Sequence, residues 1–156
     1  MIRPTVPADT PGLLALAEAT GIFRPSELGE LSGMLAAYFD GGLGADHFWV
    51  TDDDGGPAGV AYYAPAPMTD QTWNLYLIAV HPDRQRQGRG ATLLRHVEAE
   101  LTARGGRLLI VETSGLGGFE RTRAFYRRVG YSEEARVRDY YTAGDDKITF
   151  RKLLSR

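Results

Sequence analysis

Two closely spaced glycines, Gly88 and Gly90, stand between an apolar strand-like run over residues 73–80 and an apolar helical pattern over residues 91–101. The start of a helix carries unpaired backbone N–H groups and a partial positive charge, and both attract anions such as phosphate. Glycine lets the backbone approach such a ligand closely and adopt conformations that other residues resist. This order of strand, glycine loop and helix therefore predicts a fold built around a phosphate-binding turn.

Three arginines, Arg84, Arg86 and Arg89, add cationic hydrogen-bond donors to the same loop. Two common nucleotide motifs do not fit it. A P-loop needs a Gly-Lys pair, which the chain does not contain, and the dinucleotide fingerprint needs a third glycine where Leu93 stands. We therefore interpret the loop as the holder of a pyrophosphate that belongs to some other ligand.

Helical and strand-like patterns alternate along the rest of the chain. This mixture predicts one α/β (mixed α+β) domain over residues 1–156 with a mixed sheet. Strands are predicted over residues 2–6, 47–51, 59–63, 73–80, 107–113, 131–141 and 147–153, and helices over residues 10–21, 25–39, 91–101 and 121–129. The acidic run Asp52-Asp53-Asp54 before Gly55-Gly56 is interpreted as a solvated hairpin turn rather than a metal site.

Composition excludes several function classes. The chain has no cysteine, which rules out disulfides, thiolate zinc sites and a cysteine nucleophile. Its formal net charge is −2, which argues against nucleic acid as a partner. The three histidines do not cluster, so no metal is predicted. No apolar run approaches the roughly 20 residues of a membrane span and no signal pattern opens the chain, so we expect no membrane association and a cytoplasmic location.

Two segments resemble those of one enzyme family. Residues 85–90, Gln-Arg-Gln-Gly-Arg-Gly, match the pattern Q/R-x-x-G-x-G/A and follow the string V-H-P-D. Residues 125–131 match F-Y-x-x-x-G-F/Y. Both are similar to the signatures of the GNAT superfamily of N-acetyltransferases, and the order of elements fits over nearly the whole chain. The resemblance implies a mostly antiparallel sheet of six to seven strands, with helices on both faces and a splayed strand pair that binds acetyl-CoA.

The resemblance also implies which residues bind that co-substrate. The backbone of one strand would bind the pantetheine arm, the N–H groups of the loop would surround the pyrophosphate, and a tyrosine of the short helix would lie near the CoA sulfur. The strand residues are Ile78, Ala79 and Val80, the loop residues are Gln85, Arg86, Gln87, Gly88, Arg89, Gly90 and Ala91, and the tyrosine is Tyr126.

By the same resemblance, an amine attacks the thioester directly. A thiol pKa of about 8.5 against a tyrosine pKa of about 10 lets Tyr126 protonate the leaving thiolate, and a backbone N–H near Val80 would stabilise the oxyanion. The general base is either Glu112 or ordered water. Many relatives carry an asparagine ahead of the short helix, and Thr113 or Ser114 stands there instead.

Two functions follow from these residues. The first is transfer of an acetyl group from acetyl-CoA to a primary amine of an unidentified small molecule or peptide. The alternative is an inactive acyl-CoA-binding sensor or partner module. Glu27 and Glu30 are interpreted as substrate-binding or solvated residues. Proteins of the family often pair, so a homodimer is an option that the sequence leaves open.

Overall fold

A computed structural model describes residues 1–154, along which seven strands and four helices alternate. The helices are α1 (Thr10–Thr20), α2 (Pro25–Phe39), α3 (Arg89–Ala103) and α4 (Glu120–Arg128). The strands are β1 (Ile2–Pro4), β2 (Phe48–Asp53), β3 (Pro57–Pro65), β4 (Thr72–Val80), β5 (Leu108–Ser114), β6 (Ser132–Thr142) and β7 (Asp145–Leu153). Among the described residues, no helix is both long enough and apolar enough to cross a membrane.

The strands follow the order β1-β2-β3-β4-β5-β7-β6. Strands β4 and β5 run parallel, whereas β1–β2, β2–β3, β5–β7 and β6–β7 pair antiparallel. This confirms the predicted mixed, mostly antiparallel sheet. The chain forms two compact units: unit 1 comprises Met1–Ala64 and Leu77–Ala99, and unit 2 comprises Pro65–Tyr76 and the chain from Glu100 onwards. The prediction of one domain over residues 1–156 stays a prediction.

Unit 1 has helices on both faces of its strands. Helices α1 and α2 bury one apolar stripe each against one face, where Trp49 of β2 stacks on its cross-strand partner Tyr62 of β3 at 4.5 Å. Side chains alternate along β3, so Gly59, which precedes Val60 of the first face, points to the other face, where a Cβ would lie 3.5 Å from Leu93 of α3. The first face is held by Leu13, Leu16, Ala17, Leu31, Leu35, Trp49, Val60, Tyr62 and Ala79, and each large side chain there contributes about 1.5–3 kcal/mol.

Local chemistry explains where the helices of unit 1 begin and end. Helix α1 stops at Gly21, whose φ of 71° places it in the left-handed conformation typical of a C-terminal cap. Helix α2 starts with Pro25 and keeps the predicted bounds, although Gly29 and Gly33 weaken its helix propensity. Its interior is held by the buried Leu31 and Leu35.

Unit 2 is built on β5 and β7. The side chains of Leu109, Val111, Ile148 and Phe150 are buried in it. Strand β5 pairs with β7 along Leu108–Ser114, whereas its ladder with β4 contains four residue pairs and ends at Leu75 opposite Val111. Strand β6 is paired to β7, and all of its residues are exposed.

Candidate functional site

The loop before α3 has the backbone shape of an anion cradle. It follows a short 3₁₀ turn, Pro82–Arg84, and contains two residues in the left-handed region: Arg86 at φ 64° and Gly88 at φ 75°. Left-handed residues alternating with ordinary ones turn successive N–H groups toward a common concavity. A non-glycine residue such as Arg86 adopts this conformation at a cost, and such strain is concentrated at functional positions.

The N–H groups of the loop are available to a ligand. Within residues 1–154, no protein acceptor receives a hydrogen bond from the backbone N–H groups of residues 86–91, and the next donor along the chain is Thr92, which bonds the Gly88 carbonyl at 3.0 Å. A Cβ built at Gly88 would meet no atom within 4 Å, so the space above it is open. Unpaired N–H groups at the start of a helix attract anionic groups such as phosphate.

The side chains of Arg84 and Arg89 are engaged by carboxylates of the β2–β3 hairpin. One carboxylate oxygen of Asp54 accepts hydrogen bonds from both guanidinium groups. Asp52 accepts a second bond from Arg89 at 3.0 Å. The bond from Arg84, followed by the charges of both arginines, lowers the pKa of Asp54 below its ordinary value. In the described chain Arg86 makes no side-chain hydrogen bond or ion pair, and it is exposed.

The interpretation of the acidic run as a solvated turn was wrong for Asp52, which is buried on β2, whereas Asp54 is exposed in the turn but ion-paired. Asp52 is 6% exposed and pairs with Arg89, and Asp54 bridges two arginines. Their partners lie 30 to 37 residues away in sequence, so hairpin chemistry alone gave no signal for them. Residues 1–154 contain no group of three or more metal-binding side chains.

Strand β4 leads directly into this loop. Its last residues, Ile78 to Val80, were predicted to bind the pantetheine arm, and the Val80 carbonyl accepts a hydrogen bond of 3.0 Å from Nε2 of Gln85. This bond ties the first loop residue to the end of the strand. All the predicted co-substrate residues except Tyr126 thus lie along one continuous stretch, from the end of β4 to the start of α3.

Tyr126 lies in unit 2, on the last turns of α4. It is 3% exposed, and its ring contacts Tyr131 and Phe150 at centroid distances of 5.9 and 5.6 Å. No hydrogen bond of its hydroxyl occurs within the described chain. Burial raises the pKa of Tyr126 well above its ordinary value, so the phenol stays protonated in neutral solution.

Glu112, the candidate base, also lies in unit 2. On β5 its neighbours Val111 and Thr113 are buried, so Glu112 points to the exposed face. Its carboxylate is 3.6 Å from the ammonium group of Lys147. Nearby, burial followed by the charges of Glu112, Tyr140 and Asp145 raises the pKa of Tyr141 to about 12.

The two candidates for the missing asparagine differ. The Ser114 hydroxyl bonds a carboxylate oxygen of Asp145 and accepts a hydrogen bond from the Leu116 N–H at 3.1 Å, so it holds the loop after β5. Thr113 is buried, and its side chain makes no hydrogen bond within residues 1–154. Of the two residues, Thr113 is therefore the one whose hydroxyl has no hydrogen-bond partner within residues 1–154.

Comparisons with known proteins agree with this geometry. A family model described as an acetyltransferase (GNAT) domain matches residues 44–133. The ribosomal protein bS18-alanine N-acetyltransferase of Escherichia coli strain K12 is 38% identical over 73 residues, which are 47% of this chain and 48% of that protein. The chain thus spans about half the length of the curated relatives it matches.

Similar crystal structures cover the chain from end to end. A GNAT-family protein from Desulfovibrio desulfuricans is 38% identical, with a TM-score of 0.93 over 99% of both chains. The ribosomal-protein-S18-alanine N-acetyltransferase of Escherichia coli is 26% identical, with a TM-score of 0.78 over 100% of this chain and 94% of that one. The resemblance and the predicted fold are confirmed: the chain belongs to the GNAT acetyltransferase family.

Proposed function

We propose that this chain transfers the acetyl group of acetyl-CoA to a primary amine of a small molecule or peptide. The observation that carries the proposal is the loop at residues 86–91, whose N–H groups bond no protein acceptor and which leaves open space at Gly88. Family membership supports acetyl-CoA as the owner of the pyrophosphate. When bound, acetyl-CoA supplies a thioester carbonyl as the electrophile and a thiolate as the leaving group.

The backbone of β4 is proposed to hold the arm of the co-substrate. The β4–β5 ladder ends at Leu75, and β4 continues for a further five residues to Val80. Backbone groups of Ile78, Ala79 and Val80 would bond the amides of pantetheine as an added strand does. The proposed oxyanion donor is the Val80 N–H, because a developing negative charge on oxygen is stabilised by a hydrogen-bond donor.

Tyr126 is proposed to protonate the departing thiolate. Its raised pKa keeps the hydroxyl proton in place through the working pH range. A buried thiolate also gains proton affinity, because desolvation disfavours its charge as it disfavours that of the phenolate. Proton transfer from phenol to thiolate therefore stays feasible in an apolar setting.

Proton removal from the amine is proposed to use Glu112 or ordered water. The carboxylate of Glu112 is exposed on β5 and stands beside Lys147, so it is open to bulk solvent as well as to a substrate.

A cationic acceptor amine agrees with the acidic residues of α2. Glu27, however, accepts a hydrogen bond of 2.9 Å from the Arg24 N–H and so serves the start of its own helix. Glu30 remains the candidate there.

Calorimetric titration of acetyl-CoA into the protein tests the binding, and CoA release in the presence of amines tests the transfer. The first amine to try is a peptide with an alanine amine, after the bS18 relative. The second is an aminoglycoside, because an aminoglycoside 6'-N-acetyltransferase, 18% identical, has a similar fold with a TM-score of 0.80. Binding followed by turnover supports the enzyme. Binding without turnover on any amine supports the sensor, and absence of binding overturns both.

A further inference from the structure

We propose that Asp54 is a positioning residue for the pyrophosphate loop. It fixes Arg84 at one side of the loop and Arg89 at the other, so that the N–H groups between them face one ligand. The proposal rests on the acetyl-CoA binding proposed above. It assigns to the hairpin between β2 and β3 a part that the signature motif does not contain.

The contacts form a closed frame within unit 1. The carboxylate of Asp54 accepts from both arginines, and its main-chain carbonyl accepts a further bond of 3.3 Å from Arg84. Asp52, buried behind it, accepts from Arg89 at 3.0 Å. The frame thus links both ends of the loop to a hairpin that is 30 to 37 residues away in sequence.

This frame changes what each arginine contributes. Two carboxylates compensate the charges of Arg84 and Arg89, so these side chains hold the loop rather than offer unpaired charge to a phosphate. Arg86 is exposed and makes no side-chain ion pair within residues 1–154. We therefore assign the direct cationic contact with the pyrophosphate to Arg86 alone, while Arg89 contributes its backbone N–H.

The charge of Asp54 and its contacts with the loop predict opposite effects of its removal on the affinity for acetyl-CoA. Asp54 is an anion beside a site for an anion, so by charge alone its removal should tighten the binding of acetyl-CoA. If Asp54 positions the loop, its removal should weaken binding, because the left-handed turn at Arg86 loses its external support. Exposed ion pairs contribute little to stability singly, so the variant should still fold.

The matched control is Asp83, which lies in the 3₁₀ turn before the same loop. It is exposed and forms no hydrogen bond or ion pair with either arginine, and its carboxylate lies 3.9 Å from Nδ1 of His81. Asp83→Asn removes the same charge from the same neighbourhood and leaves the frame intact. Asp54→Glu retains the charge and tests whether a carboxylate restores the frame.

The dissociation constant of acetyl-CoA is measured by calorimetry for these variants, with the backbone amide signals of residues 86–91 recorded without ligand. We expect Asp54→Asn to weaken binding about three- to tenfold and to shift the loop amides, with Asp54→Glu in between. Asp83→Asn should bind as the wild type or slightly tighter, with unmoved signals. A separate Arg86→Gln variant should lose affinity without shifting the other loop amides.

Equal or tighter binding by Asp54→Asn, with unmoved loop amides, would overturn the inference while the proposed function stands. A wild type that binds no acetyl-CoA overturns the proposed function instead. In that case, the amide signals of residues 86–91 in ligand-free Asp54→Asn still test whether Asp54 holds the loop. A purely structural role would lower the unfolding temperature and leave the affinity of the folded protein unchanged.

Discussion

The Nζ atom of Lys147 lies 3.6 Å from the Oε1 atom of Glu112 and 4.2 Å from the centroid of the Tyr140 ring. The ammonium group is thereby held in one place beside the candidate base. Glu112→Gln is expected to lower kcat about 100-fold, because an amide cannot accept the proton of the amine. Steady-state rates on an amine that is turned over check this. The control is Glu100→Gln, which removes a carboxylate that pairs with Arg104. An unchanged kcat for Glu112→Gln would assign the proton transfer to water.

Tyr126→Phe is expected to reduce kcat by about 10²- to 10³-fold and to leave the affinity for acetyl-CoA within about twofold. The ring packing against Phe150 is kept, and only the hydroxyl is lost. Stopped-flow release of CoA separates this chemical step from binding. Tyr131→Phe removes a hydroxyl from the same aromatic cluster, at a position where the signature accepts phenylalanine, and should keep its activity. Equal losses in both variants would refute a chemical role for Tyr126.

Gly88→Glu is expected to weaken acetyl-CoA binding, with at least a tenfold rise in Kd. A carboxylate would enter the open space above the loop and repel the pyrophosphate. A non-glycine residue in the left-handed conformation also lowers the stability of the folded protein by about 1–2 kcal/mol. Gly21→Glu separates the two effects, because Gly21 has φ 71° and equally open surroundings at the end of α1. Both variants should lose similar thermal stability, and only Gly88→Glu should bind acetyl-CoA more weakly.

Stability toward acid is expected to depend on Asp9. Its carboxylate accepts two hydrogen bonds of 2.8 Å from Arg3 and one of 2.8 Å from the Val6 N–H, and the bonds from Arg3 contribute most to lowering its pKa. Because the folded pKa is below the unfolded value of about 3.9, this stabilisation is present above that value and is lost as the pH falls through the folded pKa.

Asp9→Asn should therefore lower the free energy of unfolding at pH 7 by about 2–3 kcal/mol, because the Arg3 charge loses its paired carboxylate at Asp9 and keeps only the one at Asp53. The difference from the wild type should shrink below pH 4. Urea unfolding at pH 7 and pH 3 measures both values. The exposed Asp40→Asn serves as the reference, and a deficit that is the same at both pH values would contradict the assignment to the Asp9 carboxylate.

Much of the fold and the loop could be predicted from neighbouring residues. The bounds of α2, the end of α1 at Gly21 and the left-handed Gly88 follow from interactions within a few positions, which caps, prolines and glycines encode directly. The loop motif predicted which residues between β4 and α3 bind the pyrophosphate, and their binding role stays a prediction. Strand ends were less exact. Strand β3 begins at Pro57 because its ladder with β2 continues to that residue, and it ends at Pro65, two residues beyond Tyr63, where this ladder stops.

Contacts between distant segments decided the rest. Strand periodicity predicts that Glu112 faces away from Val111, yet which of those faces is buried depends on the core that packs against β5. In the same way, nothing near Arg84 or Arg89 indicates where their charges go. Their partners Asp52 and Asp54 come from a hairpin that only folding brings beside the loop, because an ion pair forms through space and leaves no periodic trace in either segment.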